Sequence, residues 1–213
     1  MSEPNPNAED LFGIEADTTR REAVRRGLLA GGALAAAVTV PAVLGVRSAF
    51  AQAEDDTAII EAAAESELKA VVVYETILKS GLLRGPVADI IRLFGDQEQE
   101  HFNALARLLD DLGGEEPEKP EPADIPGLGR LAGEPQMLSF AYDLENSLIQ
   151  EYVEAFNNLE DSELLKTTSQ IMNNEGQHLV MLRLALGATP VALVPSAFET
   201  GTDPAPQVSP FGF

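Results

Sequence analysis

The chain has two histidines, and each follows a glutamate by three residues: Glu98-Gln99-Glu100-His101 and Glu175-Gly176-Gln177-His178. On an α-helix this spacing puts both side chains on one face, about a turn apart. Both pairs interrupt stripes that are otherwise apolar and step alternately by three and four residues, so they point into a core. One stripe reads Ile91, Phe94, Glu98, His101, Leu105, Leu108, Leu112, and the other Ile171, Glu175, His178, Leu182. Two more stripes carry the same kind of interruption: Ala64, Glu67, Val71, Tyr74 and Ala141, Glu145, Leu148, Tyr152. A fold that buries these faces brings four carboxylates together near mid-height of one core.

The surrounding pattern is helical throughout, with no sustained alternation of period two, so the expected class is all-α. The first helix is expected over Thr57–Ser80, with Asp55 and Asp56 capping its start and Gly81 suited to its end. The second begins near Pro86 and stops at Gly113-Gly114. Residues 115–135 hold Pro117, Pro120, Pro122, Pro126 and Pro135, with Gly127, Gly129 and Gly133, and read as a long crossover without an α-helix. A third helix is expected over Gln136–Asn158 and a fourth over Asp161–Leu186, closed by Gly187. The result is a four-helix bundle in two similar halves, with the long crossover between helices 2 and 3. The glutamates repeat with the halves: from Glu67 to Glu98 is 31 residues, and from Glu145 to Glu175 is 30.

Burying ionised carboxylates is costly, and four together repel one another. They persist when protonated, paired with cations or bound to metal. The stripes contain no Lys or Arg, so two divalent ions are the expected neutralising charge. Glu67, Glu98, Glu145 and Glu175 then act as ligands with His101 and His178. Oxygen-rich sites with one histidine per ion suit iron or manganese, although ligand type alone leaves zinc open. Tyr74 and Tyr152, each seven residues after a glutamate, are candidates for hydrogen bonding to a ligand or for a redox-active phenol; the alternative is plain core packing. Glu65 and Glu100 are expected to face solvent. Glu61 and Glu151, about 120° round the helix from the stripes, are read as surface charges.

The N-terminal 51 residues have a different character. Thr19-Arg20-Arg21-Glu22-Ala23-Val24-Arg25 precedes a weakly apolar run, Gly27 to Val46, which ends near Ala49-Phe50-Ala51. This resembles a twin-arginine export signal with an A-x-A cleavage site; Ala23 stands where that pattern prefers Phe. The expectation is a cleaved signal over residues 1–51, export to the periplasm or cell envelope, and no stable membrane insertion afterwards. An uncleaved membrane anchor is the alternative. The expected domains are the signal, a bundle over 52–187, and an irregular Pro-rich tail over 188–213. The sequence has no cysteine, so disulfides and thiolate metal sites are excluded. The formal charge of −21 argues against nucleic acid as a partner.

The four ligand-bearing stripes together resemble the ferritin-like superfamily of di-iron and di-manganese carboxylate proteins, which uses a Glu from two helices and Glu-x-x-His from the other two. The segment from Glu67 to Tyr74 is similar to the first helix of ferritins, and the export signal points to exported bacterial ferritin-like domain proteins. The resemblance implies two iron ions, or two manganese ions, and iron(II), oxygen or peroxide as reaction partners. It leans to an oxidoreductase of ferroxidase, peroxidase or catalase type. The alternative is a non-catalytic metal-binding or stress-associated structural protein of the cell envelope. Membrane-tethered partner binding is a third reading. A homo-oligomer is compatible, but the prolines of the tail disfavour the fifth helix of a 24-subunit storage cage.

Overall fold

The structure, a computed structural model, describes residues 55–206. The export signal expected over 1–51 lies outside the described residues. Four helices carry the described fold: α1 (Asp56–Lys79), α2 (Pro86–Leu112), α3 (Glu134–Ala155) and α4 (Ser162–Ala185). Asp55 caps α1 by accepting from Ala58 N at 2.9 Å. Asp56 does something else: its carboxylate accepts from Glu160 N and Asp161 N, both at 3.0 Å, and so pins the α3–α4 link to the start of α1. Asp161 in turn caps α4, accepting from Glu163 N and Leu164 N. Pro86 and Pro135 sit in the first turns of α2 and α3, where a missing N–H costs nothing. The third helix therefore starts at Glu134, ahead of the expected Gln136, and it ends at Ala155 before the expected Asn158. At the end of α2, Gly113 adopts φ +77° and Gly114 N bonds back to Leu109 O at 2.9 Å, a Schellman-type stop.

Helix α1 pairs with α2 and α3 with α4; the pairs join through α1–α3 and α2–α4. The crossover contains no α-helix, only two 3-10 turns, Pro122–Asp124 and Leu128–Arg130. It is held down by buried Ile125 and Leu128 and by the Lys119–Glu75 ion pair at 2.7 Å. Among the described residues, no helix is long and apolar enough to cross a membrane.

The core stripes hold near mid-height and drift towards the ends. Ile91, Phe94 and Leu105 are buried as expected, but Leu109 is buried while Leu108 is half-buried and Leu112 is exposed. A stripe of period 3.5 slips round a straight helix of 3.6 residues per turn, and the slip is largest at the ends.

Glu151 is a larger correction. Read from sequence as a surface charge, it is 2% exposed. A bundle helix has two neighbours, so a residue about 120° from the core line lies in a seam between helices and not in water. Glu61, Glu65 and Glu100 are exposed as expected.

As far as residue 206 the tail is irregular but well anchored. Arg183 of α4, 5% exposed, donates to Tyr142 Oη at 3.0 Å, Asp203 Oδ2 at 2.8 Å and Ala192 O at 3.4 Å. Asn146 Nδ2 donates to Asp203 O at 3.1 Å, and Gln150 Nε2 donates to Gly201 O. Gly201 has φ +69°, and a Cβ there would sit 2.0 Å from Asn146 O, so no other residue fits. Residues 199–203 thus form a strap across α3 and α4.

Candidate metal centre

Each helix contributes to the centre from its middle turns, where the stripes keep register. Glu67 (α1), Glu98 (α2), Glu145 (α3) and Glu175 (α4) are all 0% exposed. The structure brings all six residues expected as ligands together. Their arrangement has an approximate two-fold symmetry.

Glu98 and Glu175 lie between the two imidazoles. Glu175 puts Oε1 2.9 Å from His101 Nδ1 and Oε2 2.9 Å from His178 Nδ1. Glu98 puts Oε2 3.3 Å from His101 Nδ1 and Oε1 3.1 Å from His178 Nδ1. The other two carboxylates close the ends: Glu67 Oε2 is 3.5 Å from His101 Nδ1, and Glu145 Oε1 is 3.4 Å from His178 Nδ1. Two overlapping four-residue sets result, Glu67, Glu98, His101, Glu175 and Glu98, Glu145, Glu175, His178. In each, one ligand atom per residue lies within 4.8 Å of all the others.

These close approaches are mostly not hydrogen bonds. Glu67 Oε2, Glu98 Oε1, Glu145 Oε2, both Glu175 oxygens and His178 Nδ1 have no aligned partner in the protein. Orphaned buried carboxylate oxygens are costly. Converging on a common space beside ring nitrogens, they form a donor set that fits divalent cations.

The tyrosines settle on the hydrogen-bonding reading. Tyr74 Oη donates to Glu145 Oε1, and Tyr152 Oη donates to Glu67 Oε1. Each reaches the glutamate of the opposite helix, which requires α1 and α3 to run antiparallel. Burial, and then the charges of Glu145 and Glu67 respectively, push both phenols well above their usual range, so they stay protonated and act as donors.

A second pair of supports was not anticipated. His101 Nε2 bonds with Asn174 Oδ1 at 3.0 Å, and His178 Nε2 with Gln97 Oε1 at 2.9 Å. An amide oxygen only accepts, so each ring donates from Nε2 and presents Nδ1 to the carboxylates. The signal was readable: a carboxamide immediately precedes each glutamate of the Glu-x-x-His pairs, in Gln97-Glu98 and Asn174-Glu175.

Electrostatics in the chain alone show how strained the charge balance is. Burial, with the Glu98 charge beside it, pushes Glu67 up to about 8; burial with Glu145 and Glu67 pushes Glu175 up to about 7. Burial is the largest single influence on Glu145 and acts against its charge, but the charge of His178 and the hydrogen bonds from His178, Glu175 and Tyr74 together hold that carboxyl below its usual range. For both imidazoles burial favours the neutral ring. Contacts with Glu175, Glu67 and Glu98 at His101, and with Glu145, Glu175 and Glu98 at His178, overcome this and raise both. Without another cation the centre holds protons, and a divalent ion binding there displaces them.

Residues 55–188 match the family described as ferritin-like domain. No curated protein and no solved structure matches the chain. With the four helices, the long crossover and the match over most of the sequence in agreement, the chain belongs to the ferritin-like domain family.

Proposed function

We propose that the centre binds two iron ions and that the protein is an oxidoreductase oxidising iron(II) with oxygen or peroxide; two manganese ions are the alternative occupants. The observation that carries this reading is the placement of Glu98 and Glu175, each offering one oxygen to either histidine's side. A pair of ions held there would supply one-electron redox chemistry. The chain's own residues do the rest. Glu98 and Glu175 span both positions, Glu67 and Glu145 close the ends, and Tyr152 and Tyr74 fix the orientation of those end carboxylates. Asn174 and Gln97 hold the imidazoles with Nδ1 inward. On the His178 side the Phe94 ring covers the imidazole and excludes bulk water there.

The near-complete enclosure of Glu145 and His178 favours a second reading, in which the ions stabilise the bundle without turnover. Metal analysis of the purified protein, followed by anaerobic loading with iron(II) and rapid mixing with oxygen or peroxide, separates the two. Turnover that disappears in Glu98→Gln supports the oxidoreductase; stoichiometric metal without turnover supports the structural role.

The Thr19-Arg20-Arg21 motif supports export of the folded protein to the periplasm or envelope. Secretion should stop in Arg20→Lys/Arg21→Lys, and normal secretion there would remove this part of the reading.

A further inference from the structure

The two halves of the centre have matching ligands in unlike surroundings. At the Glu67 end, the His101 side chain is 12% exposed, whereas His178 at the Glu145 end is 1% exposed. His178 is covered by the Phe94 ring, stacked on it with centroids 4.0 Å apart. Phe94 stands four residues before Glu98. The residue four before Glu175 is Ile171, which has no ring to stack on His101.

The seam behind the end carboxylates differs as well. Ser66 precedes Glu67, and Glu151 precedes Tyr152, the phenol that donates to Glu67. The matching positions behind Glu145 and Tyr74 are Leu144 and Val73, both fully buried. Ser66 and Glu151 are buried too, yet Ser66 Oγ and Glu151 Oε2 have no aligned hydrogen-bond partner. Glu151 Oε1 has a long contact with Ser147 Oγ at 3.5 Å, and the Ser66 hydroxyl also acts on the carboxyl. Half-buried Lys69 interacts with the Glu151 carboxyl, but it is already paired with Glu65 at 2.7 Å. One end of the centre is therefore polar and touches solvent, and the other is dry and sealed.

We infer that the two ions are held unequally: the ion at Glu67 and His101 exchanges with solution, while the ion at Glu145 and His178 is retained. This rests on the dinuclear reading above. Two physical effects carry it. Release of an ion requires its ligands to be replaced by water, and only the His101 end meets water. Attraction between a cation and carboxylates strengthens where water is excluded, as it is around His178. Glu151, once ionised, adds a negative potential on the exchanging side and speeds entry of the incoming cation there.

The test uses the full chain loaded with two equivalents of cobalt(II), which reports on both positions by its visible absorption. Excess EDTA should remove the ions in two phases, the first at least tenfold faster. Paramagnetically shifted ring N–H signals identify which ion leaves: the signal lost in the fast phase should be the one missing in His101→Gln. Phe94→Leu should accelerate the slow phase several-fold and leave the fast phase alone. Glu151→Gln should slow rebinding at the fast position several-fold with the slow phase unchanged. Two ions leaving at one rate, or the first departure from His178, would overturn the inference and leave the dinuclear centre standing. Fewer than two cobalt ions bound by the wild type would overturn the dinuclear reading, and the inference with it.

Discussion

Around Arg183 and around Glu98 the bundle buries charge in two different ways. Arg183 is answered from within the chain, by the Tyr142 hydroxyl, the Asp203 carboxylate and a backbone carbonyl. Its ion pair is assembled by the strap, whose hydrogen bonds reach Asn146 and Gln150 of α3 and Arg183 of α4. At the centre, four carboxylates share two imidazoles and two phenols, and six of their polar atoms and ring nitrogens are left without aligned partners. A cluster satisfied by its own chain is built for stability. One that leaves converging oxygens orphaned has the donor set for a cation from outside, and under the proposed reading its cost falls on the metal-free fold.

The largest test of this contrast is metal removal. Ion binding at a thousandfold excess over the dissociation constant should stabilise the wild type by about 4 kcal/mol per ion, read as a rise in Tm that a chelator reverses. Glu98→Ala should bind no metal and show no response, while its metal-free Tm stays equal to or above that of the wild type, since one repelling carboxylate is gone. A metal-free Tm well below the wild type would break the comparison.

Glu151 sharpens it, being buried with neither a full ion pair nor an expected metal. Burial pushes its carboxyl up to about 7 from 4.5, opposed by Ser66 and Lys69. The unfolded chain ionises near the lower value and the folded chain only near the upper. Stability therefore falls as pH rises between them, and the loss is complete above the upper value. Glu151→Gln lacks this loss and should be more stable than the wild type by about 3 kcal/mol at pH 8, narrowing to about 1 kcal/mol at pH 5. Urea unfolding of the metal-free proteins at both pH values measures it; a gap independent of pH would show that Glu151 is not the titrating group.

Disturbing the strap should cost less. Asp203→Ala leaves the Arg183 guanidinium short of its charged acceptor and should lower stability by about 2 kcal/mol, whether or not metal is present. Gly201→Ala places a Cβ against Asn146 O and should free the tail, seen as faster proteolysis after residue 187 with the bundle intact. Equal sensitivity of Asp203→Ala to chelator and to metal would be expected if the two charged clusters were independent; a variant that lost its metal response would join them.

The smallest effects should come from the phenols. Tyr152→Phe and Tyr74→Phe remove one donor each from Glu67 and Glu145, and metal affinity should fall about tenfold while both ions still bind. Isothermal titration with cobalt(II) reads this directly. An unchanged affinity would return the tyrosines to simple packing.

Much of the centre was legible because its ligands sit at the middle of stripes, where helical register is least ambiguous. Glu98 with His101 and Glu175 with His178 are fixed by local spacing, and Glu67 and Glu145 by the repeat between halves. Asn174 and Gln97 were equally local but went unread, since a carboxamide beside a glutamate has no meaning until the facing helix brings a ring nitrogen to it. Glu151 was misread for the opposite reason. Angular position on one helix says whether a side chain leaves the core line, and it does not say whether a second helix waits there. The strap was invisible as such: Pro-rich sequence rules out a helix but leaves open where an irregular segment docks.

The sequence by itself determined the four helices, the Asp55 cap, the Gly113 stop and the six residues that converge, because each depends on spacing along a single element. Tertiary structure alone decided that Glu98 and Glu175 lie between the two histidines, that each tyrosine serves the opposite half, and that one end of the centre is wet and the other sealed. Those are relations between helices, set by how closely side chains such as Phe94, Ile171, Ser66 and Leu144 let neighbouring surfaces approach, and no periodicity within one segment encodes them.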